Sequence, residues 1–263
     1  MDLDVLVSTM YDEINIYKEM NIQGSSVIVN QTDFEDEKVL TTKNNGRLKF
    51  INSKGRGLSK SRNLAINNSE SDICIFADND VVYESNYIDT ILKAYKKYPD
   101  ASVIAFTVSS TNIDRPSNRL NTGRVNRIMS MKISSVQISF KRSIIEEYQL
   151  YLNENFGAGS GTFSNGEENI FLYNAIKKGL KVYYVDQKIA EVNHDESTWY
   201  GQNPEKDLLT KGAMFYTMSS VLYPLYNIQF AIRKYKEYKD NFGFFEAIKI
   251  MFGGSRQGKK IKK

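Results

Sequence analysis

Five short β-rich runs punctuate the first 108 residues, and their spacing restricts the fold more than any other feature. They are DVLVST (4–9), SSVIVN (25–30), RLKFIN (47–52), DICIFA (72–77) and ASVIAFTV (101–108). YDEINIYKEMNI, GLSKSRNLAINNS (57–69) and YIDTILKAYKKY (87–98) lie between them with helical spacing, while residues 34–46 read as charged and irregular. Ser59 is the expected N-cap of the second helix. Alternation of strand and helix over this length predicts an α/β domain built on a mainly parallel sheet covered on both faces. The chain has 263 residues, enough for one such domain with an appendage.

The regularity then lapses. Residues 109–130 read as an irregular excursion, KISSVQISF (132–140) alternates like a strand, and FGAGSGTFSNGEENIFLYNAIKKGL (156–180) is a glycine-rich loop entering a helix. KVYYV and KIAEVNH read as two more short strands, and the chain from about residue 203 reads as helical. No apolar run reaches the roughly 18 residues that span a bilayer. The N-terminus lacks the basic start of a signal peptide, and the one cysteine, Cys74, falls inside an apolar run. A lone buried thiol fits a reducing compartment, so a cytoplasmic location is expected.

Chemistry enters where the fourth strand ends. DICIFA runs directly into Asp78-Asn79-Asp80, and ligands of open α/β sheets bind at the carboxyl ends of strands. Two carboxylates one residue apart repel unless a cation joins them, and hard oxygen ligands favour Mg²⁺ or Mn²⁺. The alternative is a solvated turn, for which Asp and Asn are common residues. GRGLSKSRNLAI (55–66) sets Arg56, Lys60 and Arg62 near a helix start, suited either to phosphates or to a solvated basic face. NGEENIF (165–171) opens a helix with Glu167 and Glu168, which the helix dipole alone would favour. The only histidine, His194, follows a short strand.

The order of these stretches resembles the inverting glycosyltransferases of family 2, with the GT-A fold, and most closely those that build bacterial capsular and other surface polysaccharides. The resemblance covers roughly residues 4–200. It implies a Rossmann-like mixed sheet: a catalytic domain over 1–202, divided into a nucleotide-sugar half (1–108) and an acceptor half (109–202), then a helical C-terminal extension (203–263). It implies that Asp78 and Asp80 form the DxD motif, with Asp80 and His194 as Mn²⁺ or Mg²⁺ ligands and Asp78 at the metal shell or ribose. Glu168 would be the general base and Glu167 the first acidic position of the acceptor motif. Ser8, Thr9, Asn30, Gln31, Arg56, Lys60, Arg62 and Asn79 would line the nucleotide-sugar site. The donor would be UDP-linked and the acceptor a saccharide, lipid-linked in many such pathways.

Two departures stand out. The family usually carries Asp-Asp after the second strand, where this chain has VNQTD, so Asn30 or Gln31 would meet the base edge; and the general base is Glu where Asp is more usual. A haloacid-dehalogenase-like phosphohydrolase is a rival, with Asp78 as nucleophile and Asp80 as acid/base. It leaves Glu167, Glu168 and His194 without roles, and strands precede a motif that should open its domain. A non-catalytic polysaccharide-assembly or nucleic-acid-binding module would use the basic tail RQGKKIKK, but basic and aromatic residues do not interleave elsewhere. That tail, with Phe242, Phe244, Phe245, Ile248, Met251 and Phe252 before it, suits either peripheral contact with an anionic membrane or a helix packed on the catalytic domain.

Overall fold

The computed structural model describes residues 1–42, 46–111, 119–193 and 203–261. Strands β1 (Leu3–Met10), β2 (Ser25–Gln31), β3 (Asp36–Thr41), β4 (Arg47–Ser53) and β5 (Ile73–Asp78) supply half of one sheet. Within it β4, β2, β1 and β5 are mutually parallel, and β3 closes the outer edge antiparallel to β4. The other half comes from β6 (Val81–Tyr83), β7 (Val103–Ser110), β8 (Gly123–Arg124), β9 (Ile138–Lys141) and β10 (Val182–Val192). The order across the sheet is β3-β4-β2-β1-β5-β9-β7-β10-β6, with β8 also paired to β10.

Helices α1 (Ile16–Glu19), α2 (Leu58–Asn68), α3 (Tyr87–Lys97), α4 (Ser143–Tyr148) and α5 (Glu167–Lys177) belong to this layered part. Four more follow: α6 (Pro204–Met218), α7 (Tyr223–Arg233), α8 (Tyr235–Tyr238) and α9 (Phe244–Ile261). Period-2 alternation divides the strand residues between the faces. Val5, Val7, Ile75 and Ala77 join Tyr87, Ile91 and Tyr95 of α3 on one side. Leu6, Cys74 and Phe76 join Ala65 and Ile66 of α2 and Phe171 and Leu172 of α5 on the other. Burial pushes the Cys74 thiol up to about 12, so it behaves as a small apolar side chain.

A third apolar cluster ties the last helices to the glycine-rich loop: Phe156, Phe163, Ile170 and Tyr173 pack with Leu208, Met214 and Phe215 of α6 and Met251 of α9. Helices α6 and α9 approach so closely that only glycine fits between them. A Cβ at Gly212 would lie 1.9 Å from the Met251 carbonyl oxygen, and one at Gly254 would lie 1.9 Å from that of Leu209. Ser255 Oγ donates to the Gly212 carbonyl at 2.9 Å across the same seam.

Several expectations are corrected. Residues 36–41 form strand β3, because alternate groups of the charged segment can pair along β4 while its side chains stay exposed. Gly57, at φ 115, occupies the N-cap of α2; Ser59 is inside the helix and donates to the Phe156 carbonyl at 2.6 Å. The 132–140 stretch becomes strand only from Ile138, where β9 (Ile138–Lys141) begins after a 3₁₀ turn over Ser135–Gln137. The two short strands expected near 181–194 are one, β10, which absorbs its polar middle through register shifts opposite β7. The basic tail is the last turns of α9 as far as Ile261, packed by its glycine side on α6.

Candidate active site

Asp78 ends β5 directly beside Ser8 of β1, so the acidic pair stands at the carboxyl end of the parallel block. The chain turns at Asn79 and re-enters the sheet as β6, which among the described residues pairs only with β10. The Asn193 amide donates to the Asp80 carbonyl at 3.2 Å, so β10 fixes the backbone on the far side of the turn. The Asp80 carboxyl is half-buried and pushed up to about 6, first by burial and second by the neighbouring Asp78 charge. No ion pair to a described residue offsets that cost. His194 lies outside the described residues.

Arg62 joins this pair to the second acidic motif. Its guanidinium is wholly buried and donates to Asp78 Oδ1 at 2.7 Å, Glu167 Oε1 at 2.9 Å and Ser135 Oγ at 2.9 Å. It also lies over the Phe76 ring, 5.5 Å from its centroid. Burial alone would lower the Arg62 pKa; Asp78 and Glu167 outweigh that and raise it. A buried guanidinium with two carboxylates is a geometry that arginine's planar fork serves and lysine does not. The side chain therefore braces two motifs and is not presented to open space.

The glycine-rich loop brings Glu167 and Glu168 to that brace. Gly157 and Gly159 take positive φ, and Gly159 backs onto the Gly57 backbone at the start of α2, where the Leu58 amide donates to the Ala158 carbonyl at 2.8 Å. Gly166 caps α5 at φ 99, and a Cβ there would meet Met214 Sδ at 2.7 Å. Helix α6 thus lies against the entry to α5. Glu167 is buried, with Oε1 on Arg62 and Oε2 lacking a protein partner. Glu168 is half-buried, and its carboxyl is raised to about 7 by burial and by Glu167, with Lys211 and Arg62 acting against the rise. Lys211, from α6, donates to Asn165 Oδ1 at 2.9 Å in the same loop.

On the other side of Asp78 the polar strand ends are tied together. Thr9 Oγ1 and Asn79 Nδ2 both donate to Asp12 Oδ2, the latter at 2.9 Å. Asn30 is buried; it accepts from the Asp12 amide and donates to the Asp12 carbonyl and to Asn52 Oδ1. Gln31 accepts from the Gly57 amide at 2.8 Å. Both amides thus hold neighbouring backbone in place at the strand ends. Ser8 accepts from Ser61 Oγ inside the sheet–helix contact. Arg56 stacks on Tyr11, 5.0 Å from the ring centroid, and pairs with Asp33 at 2.7 Å; Lys60 is exposed on the rim, its stem along Gly55. A cavity of about 370 Å³ opens here, lined by Tyr11, Asp12, Thr32, Phe34, Phe50 and Asn52.

Sequence reasoning missed Asp12 and Lys211. Asp12 carried a usable signal, an acidic residue just past a strand end, the same rule that singled out Asp78. Lys211 carried none, because only the return of α6 to Gly166 brings it near Glu168.

Residues 30–163, just over half of the chain, match the family described as Glycosyl transferase family 2. The chain belongs to glycosyl transferase family 2. It is therefore a glycosyltransferase, and its sheet with flanking helices is the GT-A-like architecture. Among solved structures, the transferase is similar to S. aureus TarS 1–349 in complex with UDP-GlcNAc, at 13% identity and a TM-score of 0.68, covering 98% of this chain and 81% of that one. The same TarS fragment in complex with UDP gives 12% identity, a TM-score of 0.66 and the same coverage. A further S. aureus TarS structure gives a TM-score of 0.59 at 14% identity, with 82% of this chain and 39% of that one covered. No curated protein matches the transferase. Family membership also displaces the phosphohydrolase reading, as do β1, β2, β4 and α2, which precede Asp78 in one continuous domain.

Proposed function

We propose that this glycosyltransferase moves a sugar from a UDP-linked donor to a saccharide acceptor by one displacement with inversion, in surface-polysaccharide synthesis. The observation that carries the reading is Arg62, which holds Asp78 of the donor motif and Glu167 of the acceptor motif on one buried guanidinium. Donor and acceptor groups are thereby held one side chain apart, as in-line displacement needs. The UDP and UDP-GlcNAc complexes of the TarS fragment support the uridine assignment. The cavity beside Tyr11 and Asp12 is the place offered to the nucleoside.

Asp78 and Asp80 fit a hard divalent cation: both are oxygen donors at a strand end, and the Asp80 charge is uncompensated by described residues. Among the described residues no group of three His, Cys, Asp or Glu side chains could hold a metal alone. His194 would complete the set with Asp78 and Asp80. Bound there, Mn²⁺ or Mg²⁺ would neutralise charge on a departing diphosphate. Glu168 takes the proton from the acceptor hydroxyl, a role suited to a carboxyl titrating near neutrality. Glu167 and Arg62 hold the helix that carries it, and Lys211 favours its charged form. A lipid-linked acceptor would place the C-terminal helices near a membrane.

The test pairs nucleotide binding with turnover. Thermal shift of the wild-type chain should require UDP together with Mn²⁺, and Asp80→Ala should abolish that shift. Glu168→Gln should keep it and release UDP at least 100-fold more slowly with an acceptor. Near-normal transfer by Glu168→Gln would remove the base assignment, and a UDP shift indifferent to Mn²⁺ would remove the metal.

A further inference from the structure

Helix α7 is apolar on both sides, and the described residues cover only one of them. Asn227 and Ala231 are buried, and Phe230 packs on Phe215 of α6 with ring centroids 5.9 Å apart. The opposite face carries Leu225, Ile228 and Ile232, spaced three and four residues apart. Val221 precedes it, and Tyr235 follows in α8. Val221 is 80% exposed, Leu225 62% and Ile232 63%. Beyond Tyr235, whose ring meets Phe244, Phe245 stands 83% exposed. Large apolar residues scattered singly on a surface need no cause, but a continuous stripe along one helix face marks a contact. Helices apolar all round are normally covered on every side.

Charge decides what covers it. Residues 221–263 carry ten Lys and Arg against three Asp and Glu, whereas the preceding 220 carry 25 against 28. Arg233 and Lys236 are exposed beside the stripe, and Arg256, Lys259 and Lys260 are exposed on α9. A second copy placed on this face would bring like charges together. A surface that is apolar within and negative at its rim would satisfy both features. No helix among the described residues is long and apolar enough to cross a membrane, so this contact lies along the surface.

We infer that the outer face of α7, with Phe245, is a docking surface that inserts into the interface of an anionic lipid bilayer while its basic rim meets the headgroups. This deepens, and rests on, the reading that the C-terminal helices approach a membrane. It moves the contact from the basic end of α9 to the side of α7. Insertion there sets the chain against the bilayer by a rigid element that packs on α6, the helix bearing Lys211.

Sedimentation with vesicles of phosphatidylcholine alone, or with one third phosphatidylglycerol, tests it on the full chain. Wild type should partition at least tenfold better onto the anionic vesicles. Ile228→Glu/Ile232→Glu should lose at least tenfold of that binding while keeping the wild-type melting temperature, which shows that it folds. Replacing Lys259, Lys260, Lys262 and Lys263 by Gln should weaken binding to the anionic vesicles but cost less than the stripe variant does. If the stripe variant binds within twofold of wild type and the tail variant does not bind, the α7 surface is overturned and membrane contact through the tail stands. If wild type binds neither vesicle, or dimerises through this face, both the surface and the membrane reading fall. UDP release by the same preparations judges the transferase reading separately.

Discussion

Removing the Arg62 guanidinium would leave Asp78 and Glu167 as neighbouring carboxylates without their cation. Breaking a buried pair in this way costs about 3–5 kcal/mol, most of it the uncompensated charge left behind. Arg62→Met should therefore lower the urea midpoint by a corresponding amount, and Arg62→Lys should recover only part of it, since one ammonium cannot reach both partners in the same geometry. Unchanged stability in Arg62→Met would mean that the two carboxyls relax apart. The second residue-scale expectation concerns pH. Burial and Glu167 raise the Glu168 carboxyl to about 7, and the proposed base accepts a proton only when deprotonated, so transfer should fall as pH drops through 7. Lys211 opposes that raised value; Lys211→Met should shift the acidic limb of the rate profile to higher pH without abolishing UDP binding. A limb that stays in place would assign Lys211 to packing alone. At this scale the sequence displayed Asp78, Asp80 and Glu168 because acids at element ends are visible in a string. The engagement of Asn30 and Gln31 by backbone groups was hidden, because a side chain's hydrogen-bond partner depends on loops far away in sequence.

Among the elements, the seam of α6 and α9 makes the sharpest demand. A methyl at Gly254 would meet the Leu209 carbonyl oxygen at 1.9 Å, backbone against backbone, with no side chain able to yield. At neighbouring Gly253 it would meet only Leu209 Cδ2, at the ordinary distance of 3.7 Å. Gly254→Ala should thus force the helices apart and destabilise the chain by roughly 2 kcal/mol or more, in the range of severe core overpacking. Gly253→Ala should be neutral or stabilise it by up to about 1 kcal/mol through helix propensity. Equal melting temperatures for the two variants would refute the seam. The parallel strands β1, β2, β4 and β5 and helices α2 and α3 were legible because period-2 and period-3.6 patterns are local. Strand β3 was not, since an exposed edge needs no apolar alternation. Nor was the continuity of β10, whose polar middle reads as an interruption until β7 is laid beside it.

Across the whole molecule, β10 is the piece on which distant parts converge, with β7, β8 and β6 all paired to it. Among the described residues strand β6 has no other partner in the sheet, and it is the segment that follows Asp80 directly. The chemistry of the acidic turn is therefore written early and completed late. A ribosome adding about 5–20 residues per second reaches β10 roughly 5–20 s after it has passed Asp80. During that interval β7 presents an open edge where β10 will dock, a template for pairing with other chains. Ribosome-bound chains halted near residue 180 should be cleaved readily by protease around residues 79–86, and chains extended past the end of α9 should resist. Equal protection of both would mean that the turn is set without β10. The last strand of the sheet thus acts as a timer: the nascent enzyme carries its acidic turn for many seconds before it has the strand that fixes it.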